Sequence, residues 1–457
     1  MEVSSLTSAF FYIYVSKKMF LYKYKMLMYN YTKLFLISKK GKKIYGGGIM
    51  SLKAMPLDGI KVVDLSTVVA APTAAELLCT FGADVIKVES MHGDDQRFTG
   101  DFLGAPQEVD CNPIYTVQNS NKRHISLNLK TDEGKEAILK LISEADIFLT
   151  NVRTQGLERL GLDYETLKDK FPKLIYAHFS GYGPKGPNKD DPGFDSTVFW
   201  LRGGMIADWQ TNDASYPFDP TYAFGDTVTA SSFFSAILLA IIGREKEGKG
   251  TKVECSLYSS AIWCNGQGVV QTQFTKKKLN PEPEKKINPQ NGYYKCSDDK
   301  WFSLNELKGY ETDFPIITEA MGLQDLQGDP RYATKKTLEE TGAYKEYNER
   351  ITEAFKTKTS AEWKKIFQKY NMPCDVAVRT ADVATDEQAI VNGYLEEVTY
   401  PDGTKVMMPV PPMFLSEYGR RPITPTGKMS DCSVEILKSI GYKDEDIAKM
   451  KENKVVR

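Results

Sequence analysis

One aspartate, Asp226, stands where a carboxylate could do chemistry, because it precedes a long apolar segment that is predicted to be a helix. Residues 227–243 read TVTASSFFSAILLAIIG, and Gly225 comes directly before the aspartate. A carboxylate at a helix entrance predicts an N-cap, which accepts free backbone N–H groups and suits the positive end of the helix dipole. A carboxylate can also attack an activated acyl group as a nucleophile. The two roles are compatible, since the helix N-terminus favours the ionised form.

Histidine chemistry has little support in this chain. It contains His92, His124 and His178, and none of them has a second His or Cys at metal-ligand spacing. No metal site is therefore expected, and neither is a Ser-His-Asp or Cys-His hydrolase. His178 lies in an apolar stretch and is interpreted as a hydrogen-bonded core or lining residue. Carboxylates are the remaining candidates for the chemistry.

Nucleotide-binding motifs are weak or missing. Residues 181–186 match GxGxxG after a predicted strand, but residues 187–192 (PNKDDP) have the composition of a turn and cannot open a helix. The sequence contains no GxxxxGK[ST] motif. Neither a nicotinamide cofactor nor nucleotide hydrolysis is predicted.

Basic residues follow several predicted strands, where the loops of a parallel sheet bind ligands. They are Arg97, Lys122, Arg123, Arg153 and Arg159. Cationic side chains at the carboxyl edge of such a sheet suit a polyphosphate ligand. Each of them could equally belong to a scatter of surface charges, and the pattern alone does not decide.

Composition limits the function classes. The chain has 59 basic and 60 acidic residues among 457, which gives no argument for a nucleic-acid partner. Its seven cysteines form no CxxC pair, so a reduced cytoplasmic protein is expected. Residues 1–49 differ from the rest, with nine lysines, eleven aromatic residues and one acidic residue. We interpret them as an unstructured or mis-annotated extension, with a basic surface anchor as the alternative, and we expect no membrane span.

The element pattern predicts an α/β fold. Strands at 59–65 and 84–89 flank a helix at 73–81, and strands at 124–129, 146–150 and 174–180 alternate with further helices. This alternation indicates a parallel, Rossmann-like sheet. The Pro-rich, charged residues 276–291 predict a boundary. We therefore expect a large domain over 50–275, a linker with a small α+β domain over 276–374, and a return segment over 375–457 that completes the large domain.

Several ordered segments together resemble the class III CoA-transferase family. They are residues 57–65 (LDGIKVVDL), 81–89 (FGADVIKVE), 121–123 (NKR), 149–163 (LTNVRTQGLERLGLD), 174–181 (LIYAHFSG), 224–226 (FGD) and 434–441 (VEILKSIG). Within the family, residues 149–154 and 193–204 look most like phenyllactate and 2-hydroxyisocaproate CoA-transferases. One difference is Thr227, where those enzymes tend to have histidine.

The resemblance implies roles for individual residues. Asp226 falls on the family's nucleophile, and Asn151, Val152, Arg159 and Leu160 fall where the family lines its CoA site. Asp195 matches an acidic position near the nucleophile and is expected to have a supporting role in cofactor binding. Arg97, Lys122 and Arg123 complete the expected CoA-binding set.

The activity that the resemblance implies is CoA transfer between an acyl-CoA and a small carboxylic acid, through an aspartyl anhydride and an aspartyl-CoA thioester. CoA and acyl-CoA are then substrates, and no permanently bound cofactor is expected. The family forms interlocked homodimers. Enzymes of this branch supply the substrate of a 2-hydroxyacyl-CoA dehydratase in amino-acid fermentation. Such a dehydratase is therefore an expected partner.

Other functions stay open at this point. Another carboxylate, such as a carnitine-like or dicarboxylic acid, could be the acceptor. A 2-methylacyl-CoA racemase would pair the Gly-Asp step with a histidine where this chain has Phe194, and phenylalanine cannot move a proton. A non-catalytic CoA-binding protein is a further alternative. Measuring CoA exchange for Asp226→Ala would distinguish it, because unchanged turnover would remove Asp226 from the chemistry.

Overall fold

The central element of the protein is a six-stranded parallel sheet. A computed structural model describes residues 54–210, 216–218, 220–277, 279 and 288–457. The strands are β1 Lys61–Leu65, β2 Asp84–Glu89, β3 Arg123–Ser126, β4 Ile147–Thr150, β5 Ile175–Ser180 and β6 Lys252–Ser256. They lie in the order β3-β2-β1-β4-β5-β6, and every neighbouring pair is parallel. The Rossmann-like α/β fold predicted from the alternating pattern is confirmed.

Helices cover both faces of this sheet. Those in its first half are α1 Ala70–Thr80, α2 Pro113–Asn119, α3 Asp132–Ser143, α4 Thr154–Leu160 and α5 Tyr164–Lys168. Two apolar clusters result, because strand residues alternate between the faces. Val62 and Leu149 belong to the cluster with α1, and Val63 and Phe148 belong to the cluster with α3.

The next helices include the long apolar segment noted in the sequence. A π-helix at Asp195–Arg202 is followed by α6 Met205–Trp209, α7 Phe224–Glu247, α8 Leu257–Cys264 and α9 Gly266–Thr275. Helix α7 has the length and hydropathy of a membrane span, but eight of its residues are buried, among them Phe233 and Ile237 in the cluster with α1. It is therefore described as a core helix of the α/β fold.

A second, antiparallel sheet follows in the chain. Strands β7 Gly292–Lys295, β8 Trp301–Leu304 and β9 Cys374–Val376 lie in the order β7-β8-β9. Helices α10 Tyr310–Met321, α11 Lys335–Thr341, α12 Tyr344–Phe355 and α13 Ser360–Lys369 pack with them around a separate, aromatic-rich core. The domain boundaries given above stay a prediction.

The C-terminal part begins with α14 Thr380–Val383, α15 Glu387–Val391 and the antiparallel pair β10 Leu395–Thr399 and β11 Lys405–Pro409. Helices α16 Ser433–Ser439 and α17 Asp444–Glu452 then join the apolar cluster of α3. Short 3₁₀ helices lie at Asp95–Phe98, Asp101–Leu103, Gln324–Leu326 and Pro330–Tyr332.

Contacts divide the chain into two units, of which Leu57–Phe414 with Arg420–Arg457 contains all of these elements. The other unit includes Leu415–Gly419 and the described residues 54–56, where the Gly419 N–H donates to the Ala54 carbonyl oxygen. The predicted N-terminal extension, residues 1–49, lies outside the described residues.

Candidate active site

A cavity of about 600 Å³ opens at the carboxyl edge of the sheet, where β1 and β4 lie side by side. The chain leaves these two strands toward opposite halves of the sheet, which is the usual position of a ligand site in this class of fold. Residues that follow β1, β4 and β5 form its walls, among them Val68, Asn151 and His178. Asn151 ties the first two loops together, because its side chain accepts from the Thr67 N–H at 3.0 Å and donates to the Thr67 carbonyl at 2.9 Å.

Asp226 lies in the wall of this cavity. It is the third residue of α7, and Ala223, with a φ of 58°, occupies the N-cap position. The expectation that Asp226 is an N-cap is therefore wrong. The helix begins three residues earlier than the apolar pattern suggested, and the Asp226 N–H group donates to an acidic side chain from another element.

That acidic side chain is Asp195, the first residue of the π-helix. Its Oδ1 accepts from the Asp226 N–H at 2.8 Å. Gly225 makes this approach possible, since a Cβ built there would lie 2.3 Å from Asp195 Oδ1 and 2.3 Å from the Phe199 ring. The Gly-Asp step of the sequence is thus a packing requirement as well as a motif.

The electrostatics of Asp226 differ from the expectation of a permanently ionised carboxylate. Burial, together with the smaller effect of the nearby Asp195 carboxylate, raises the pKa of Asp226 to about 7. Burial likewise raises the pKa of Asp195. The desolvation of both groups outweighs the helix dipole, which is a smaller effect that acts on the first turn only. Near neutral pH, Asp226 therefore exists in both protonation states.

The segment after β1 also lines the cavity, although none of its residues was among the expected site residues. Val68 adopts a φ of 70°, and both Val69 and Ala70 line the cavity at the start of α1. Among the described residues, no hydrogen bond from the Val69 or Ala70 N–H group is formed. The position of this segment after a central strand was the one signal in the sequence that could have indicated its place in the site.

Of the four predicted residues of the 149–163 segment, one lines the cavity and three are not among its lining residues. Asn151 lines it, and the Val152 carbonyl oxygen contacts His178 Nε2 at 3.0 Å. Burial lowers the pKa of His178, so that the ring is neutral and Nε2 donates this bond. Leu160 packs against the apolar cluster of α3, and Arg159 is exposed on α4 with its Nε directed to the Gln155 carbonyl.

Lys122 and Arg97 are engaged elsewhere. The Lys122 ammonium is fully buried, and it donates to Asp64 at 2.8 Å, to the Pro72 carbonyl at 2.8 Å and to Asn119 at 2.9 Å. These three bonds use all of its protons. Arg97 forms two hydrogen bonds to Glu89. The structure does not bring either cation to the cavity.

Arg123 lies at the other edge of the sheet. It is the first residue of β3, whereas the cavity lies where the parallel strands end. Its guanidinium pairs with Asp84 and Glu435. The expectation that it belongs to a loop at the carboxyl edge is wrong, because the residues that lead into a parallel strand lie at the amino edge of the sheet. Arg153 and Lys189 are basic residues that do line the cavity, but the latter was not among the expected ligands.

The fold and the site together define a Rossmann-like α/β enzyme with a carboxylate at the point where the strand order reverses. A sequence profile described as CoA-transferase family III matches residues 57–427. The chain belongs to this family and is a CoA-transferase, as the ordered motifs predicted.

Two curated relatives are similar over most of their length. The (R)-2-hydroxy-4-methylpentanoate CoA-transferase of Clostridioides difficile is 36% identical over 407 residues, which cover 88% of this chain and 100% of that protein. The cinnamoyl-CoA:phenyllactate CoA-transferase of Clostridium sporogenes is 36% identical over 402 residues, covering 87% and 96%. Among solved structures, a CAIB/BAIF family protein from Brucella suis superposes with a TM-score of 0.72 at 27% identity, covering 85% of this chain and 100% of that one.

Proposed function

We propose that this enzyme moves CoA between an acyl-CoA thioester and a 2-hydroxy acid, with Asp226 as the nucleophile. The observation that carries the proposal is the position of Asp226 in the wall of the cavity at the carboxyl edge of the sheet. The two relatives named for 2-hydroxy-4-methylpentanoate and phenyllactate support the acceptor class.

The reaction would proceed by four substitutions at carbonyl carbons. The Asp226 carboxylate attacks the donor thioester, and CoA leaves as the thiolate, so that a mixed anhydride forms. The thiolate attacks the aspartyl carbonyl and releases the donor acid, which leaves an aspartyl-CoA thioester. The acceptor carboxylate attacks that thioester and forms a second anhydride with loss of the thiolate. The thiolate finally attacks the acyl carbonyl and frees Asp226. The acyl-CoA bond energy is retained, and no ATP is required.

The start of α1 has groups that could stabilise this chemistry. Each substitution develops negative charge on a carbonyl oxygen, and N–H donors fixed before the reaction stabilise such charge. The Val69 and Ala70 N–H groups are buried, without acceptors in the described part of the chain, and belong to the same cavity wall. We assign them to the reacting acyl oxygen.

CoA would lie along the loop after β4. Asn151 and Arg153 line the cavity there, and Lys189 adds a second cation for phosphate groups. Val152 and Arg159 belong to the same segment. Arg97 and Lys122 are not part of this proposal, since their donors are already bound to protein acceptors.

The side chain of the acceptor would meet an aromatic surface next to the nucleophile. Phe224, two residues before Asp226, is half exposed and packs on Trp200. Trp209 and Phe218 stack beside the same tryptophan with their ring centroids 6.4 Å apart. Such a surface suits an aromatic or branched side chain. Phe194, which also lines the cavity, offers no proton to a racemase reaction.

We further propose that the protein is a cytoplasmic homodimer and that its product is the substrate of a 2-hydroxyacyl-CoA dehydratase. The exposed aromatic side chains Trp263 on α8 and Phe274 on α9, each 83% exposed, support a second copy of this chain as the partner of that face. A dehydratase is the reaction class that consumes a 2-hydroxyacyl-CoA product. Light scattering would report the mass of the assembly in solution.

Replacement of Asp226 tests the proposal. We expect Asp226→Ala and Asp226→Asn each to lower the kcat of CoA transfer by about 10³-fold or more, because the covalent route is lost. Substrates would be a panel of acyl-CoA donors with 2-hydroxy-4-methylpentanoate, phenyllactate, oxalate and carnitine as acceptors. Asp191→Asn, a carboxylate at the same cavity, is the matched control, with an expected loss of about ten-fold at most. Unchanged turnover of the Asp226 variants would remove this residue from the chemistry.

A further inference from the structure

A buried carboxylate that takes no part in the proposed chemistry, Asp94, is bonded directly to the cavity wall. It is 1% exposed and caps the 3₁₀ helix Asp95–Phe98. Its Oδ1 accepts two backbone N–H groups, that of Gln96 at 3.1 Å and that of Val68 at 3.0 Å. The second bond connects it to the segment between β1 and α1, which lines the same cavity as Asp226.

Val68 is strained. Its φ of 70° lies in the left-handed region, where a side chain with a branched Cβ collides with its own backbone. The cost for an L-residue is about 1–2 kcal/mol, and Val68 has no glycine-like freedom to avoid it. Strain of this kind persists when surrounding contacts enforce it, and it is concentrated at functional sites.

Buried and solvent-accessible contacts together hold the residues before Val69. Lys87 Nζ lies 2.8 Å from Asp94 Oδ2, with both side chains fully buried, and the same ammonium donates to the Ser66 carbonyl at 2.6 Å. Thr67 is held by Asn151 on both its N–H and its carbonyl. Three consecutive residues before Val69 are thus each fixed by a buried or partly buried polar side chain.

We propose that Asp94, backed by Lys87, is a positioning residue for CoA transfer. By holding Val68 in the left-handed conformation, it fixes the direction in which the chain enters α1 and therefore the place of the Val69 and Ala70 N–H groups relative to Asp226. The assignment rests on the proposed function in so far as this cavity is where the acyl group reacts. If Val68 left the left-handed conformation, the Val69 and Ala70 N–H groups would turn away from Asp226. The residues that contact the substrate would themselves be unchanged.

A double-mutant cycle between positions 94 and 68 tests this role. Asp94→Asn is expected to lower kcat about ten-fold or more with little change in the KM for acyl-CoA, since an amide gives Lys87 no counter-charge and holds Val68 less well. Glycine adopts a φ of 70° without the steric cost. In the Val68→Gly background, Asp94→Asn is therefore expected to lower kcat by a factor that is at least about five-fold smaller. This difference corresponds to the 1–2 kcal/mol of relieved strain.

Asp84→Asn is the matched control. Asp84 is also an ion-paired aspartate on β2, but it pairs with Arg123 at the amino edge. We expect its replacement to change kcat by less than about two-fold, with the same effect in both backgrounds. Circular dichroism and urea unfolding would establish that each variant is folded. Where Asp94→Asn does not fold, Asp94→Glu, which keeps the charge beside Lys87, enters the same cycle.

Two results would overturn the positioning role. One is an equal loss of kcat from Asp94→Asn in the wild-type and Val68→Gly backgrounds. The other is a wild-type kcat for a folded Asp94→Asn. A purely structural Asp94 would give a lower stability that glycine at position 68 does not correct. Failure of the proposed function has a different signature: Asp226→Ala would keep its turnover, and the cycle between positions 94 and 68 could still be measured on that turnover.

Discussion

Two carboxylates of the α/β fold, Asp64 and Asp226, have pKa values that are shifted in opposite directions. Asp64, fully buried on the inner strand β1, would have a raised pKa from burial alone, but Lys122 and Lys87 outweigh burial and hold the pKa below its usual value. Asp226, which is less buried, has its pKa raised to about 7 because burial and Asp195 act in the same direction. Charge partners, more than depth, therefore decide which carboxylate is inert and which can exchange a proton near neutrality.

The largest expected effect, on the free energy of unfolding, comes from removing the cation that pairs with Asp64. Lys122→Met would leave Asp64 buried without the ammonium that donates to it at 2.8 Å. We expect the free energy of unfolding to fall by about 3–5 kcal/mol, as for other buried ion pairs that lose one partner. Urea unfolding measures this. The double variant Asp64→Asn/Lys122→Met removes the stranded charge and should recover part of the loss; no recovery would show that the charge was not the cause.

Asp226 should have the reverse effect on stability. A carboxyl whose pKa is higher in the folded state than the usual 3.8 stabilises the fold while it is protonated. That contribution is complete below about pH 4 and is lost as the pH rises to about 7. Asp226→Asn is therefore expected to gain about 1–2 kcal/mol over the wild type at pH 8 and little at pH 4. A gain that does not depend on pH would contradict the raised pKa.

Asp195 sharpens the comparison through the pH profile of turnover. With a nucleophile of pKa about 7, kcat/KM for acyl-CoA should rise with pH through that value, because the ionised form reacts. Asp195→Asn keeps an oxygen for the Asp226 N–H but removes the charge that raises the pKa of Asp226. We expect the midpoint of the profile to move down by about 0.5–1 pH unit. An upward shift would show that Asp195 does not act by charge.

The smallest effect is expected at the exposed pair on the amino edge. Arg123 contacts Asp84 and Glu435 with its side chain 26% exposed, so solvent screens the pair. Arg123→Ala should change the free energy of unfolding by about 1 kcal/mol or less. The KM for acyl-CoA should not change, since this edge is opposite the cavity. A several-fold rise in KM would return Arg123 to the CoA site.

The sequence predicted most of the parallel sheet because strand and helix periods are local properties. Five of the six strands, the Gly-Asp step and the family resemblance were visible without coordinates. The missed strand, β6, has the burial pattern of a partly exposed strand, with Glu254 exposed at its centre. The role of Asp195 as the acceptor for α7 was out of reach, because it joins residues that are 31 positions apart.

What the sequence by itself determined is the class of fold, the family and the identity of the single aspartate at the start of a core helix. The fold class and this aspartate follow from patterns within a few residues, whereas the family follows from the order of several short motifs along the chain. Tertiary structure alone decided which charges meet. Lys122 contacts Asp64 across 58 positions, and Val68 contacts Asp94 across 26, since neighbouring strands bring distant segments together. The Asp94 contact holds the strained residue in the cavity wall, and the raised pKa of Asp226 arises from its burial and from Asp195, which is 31 positions away.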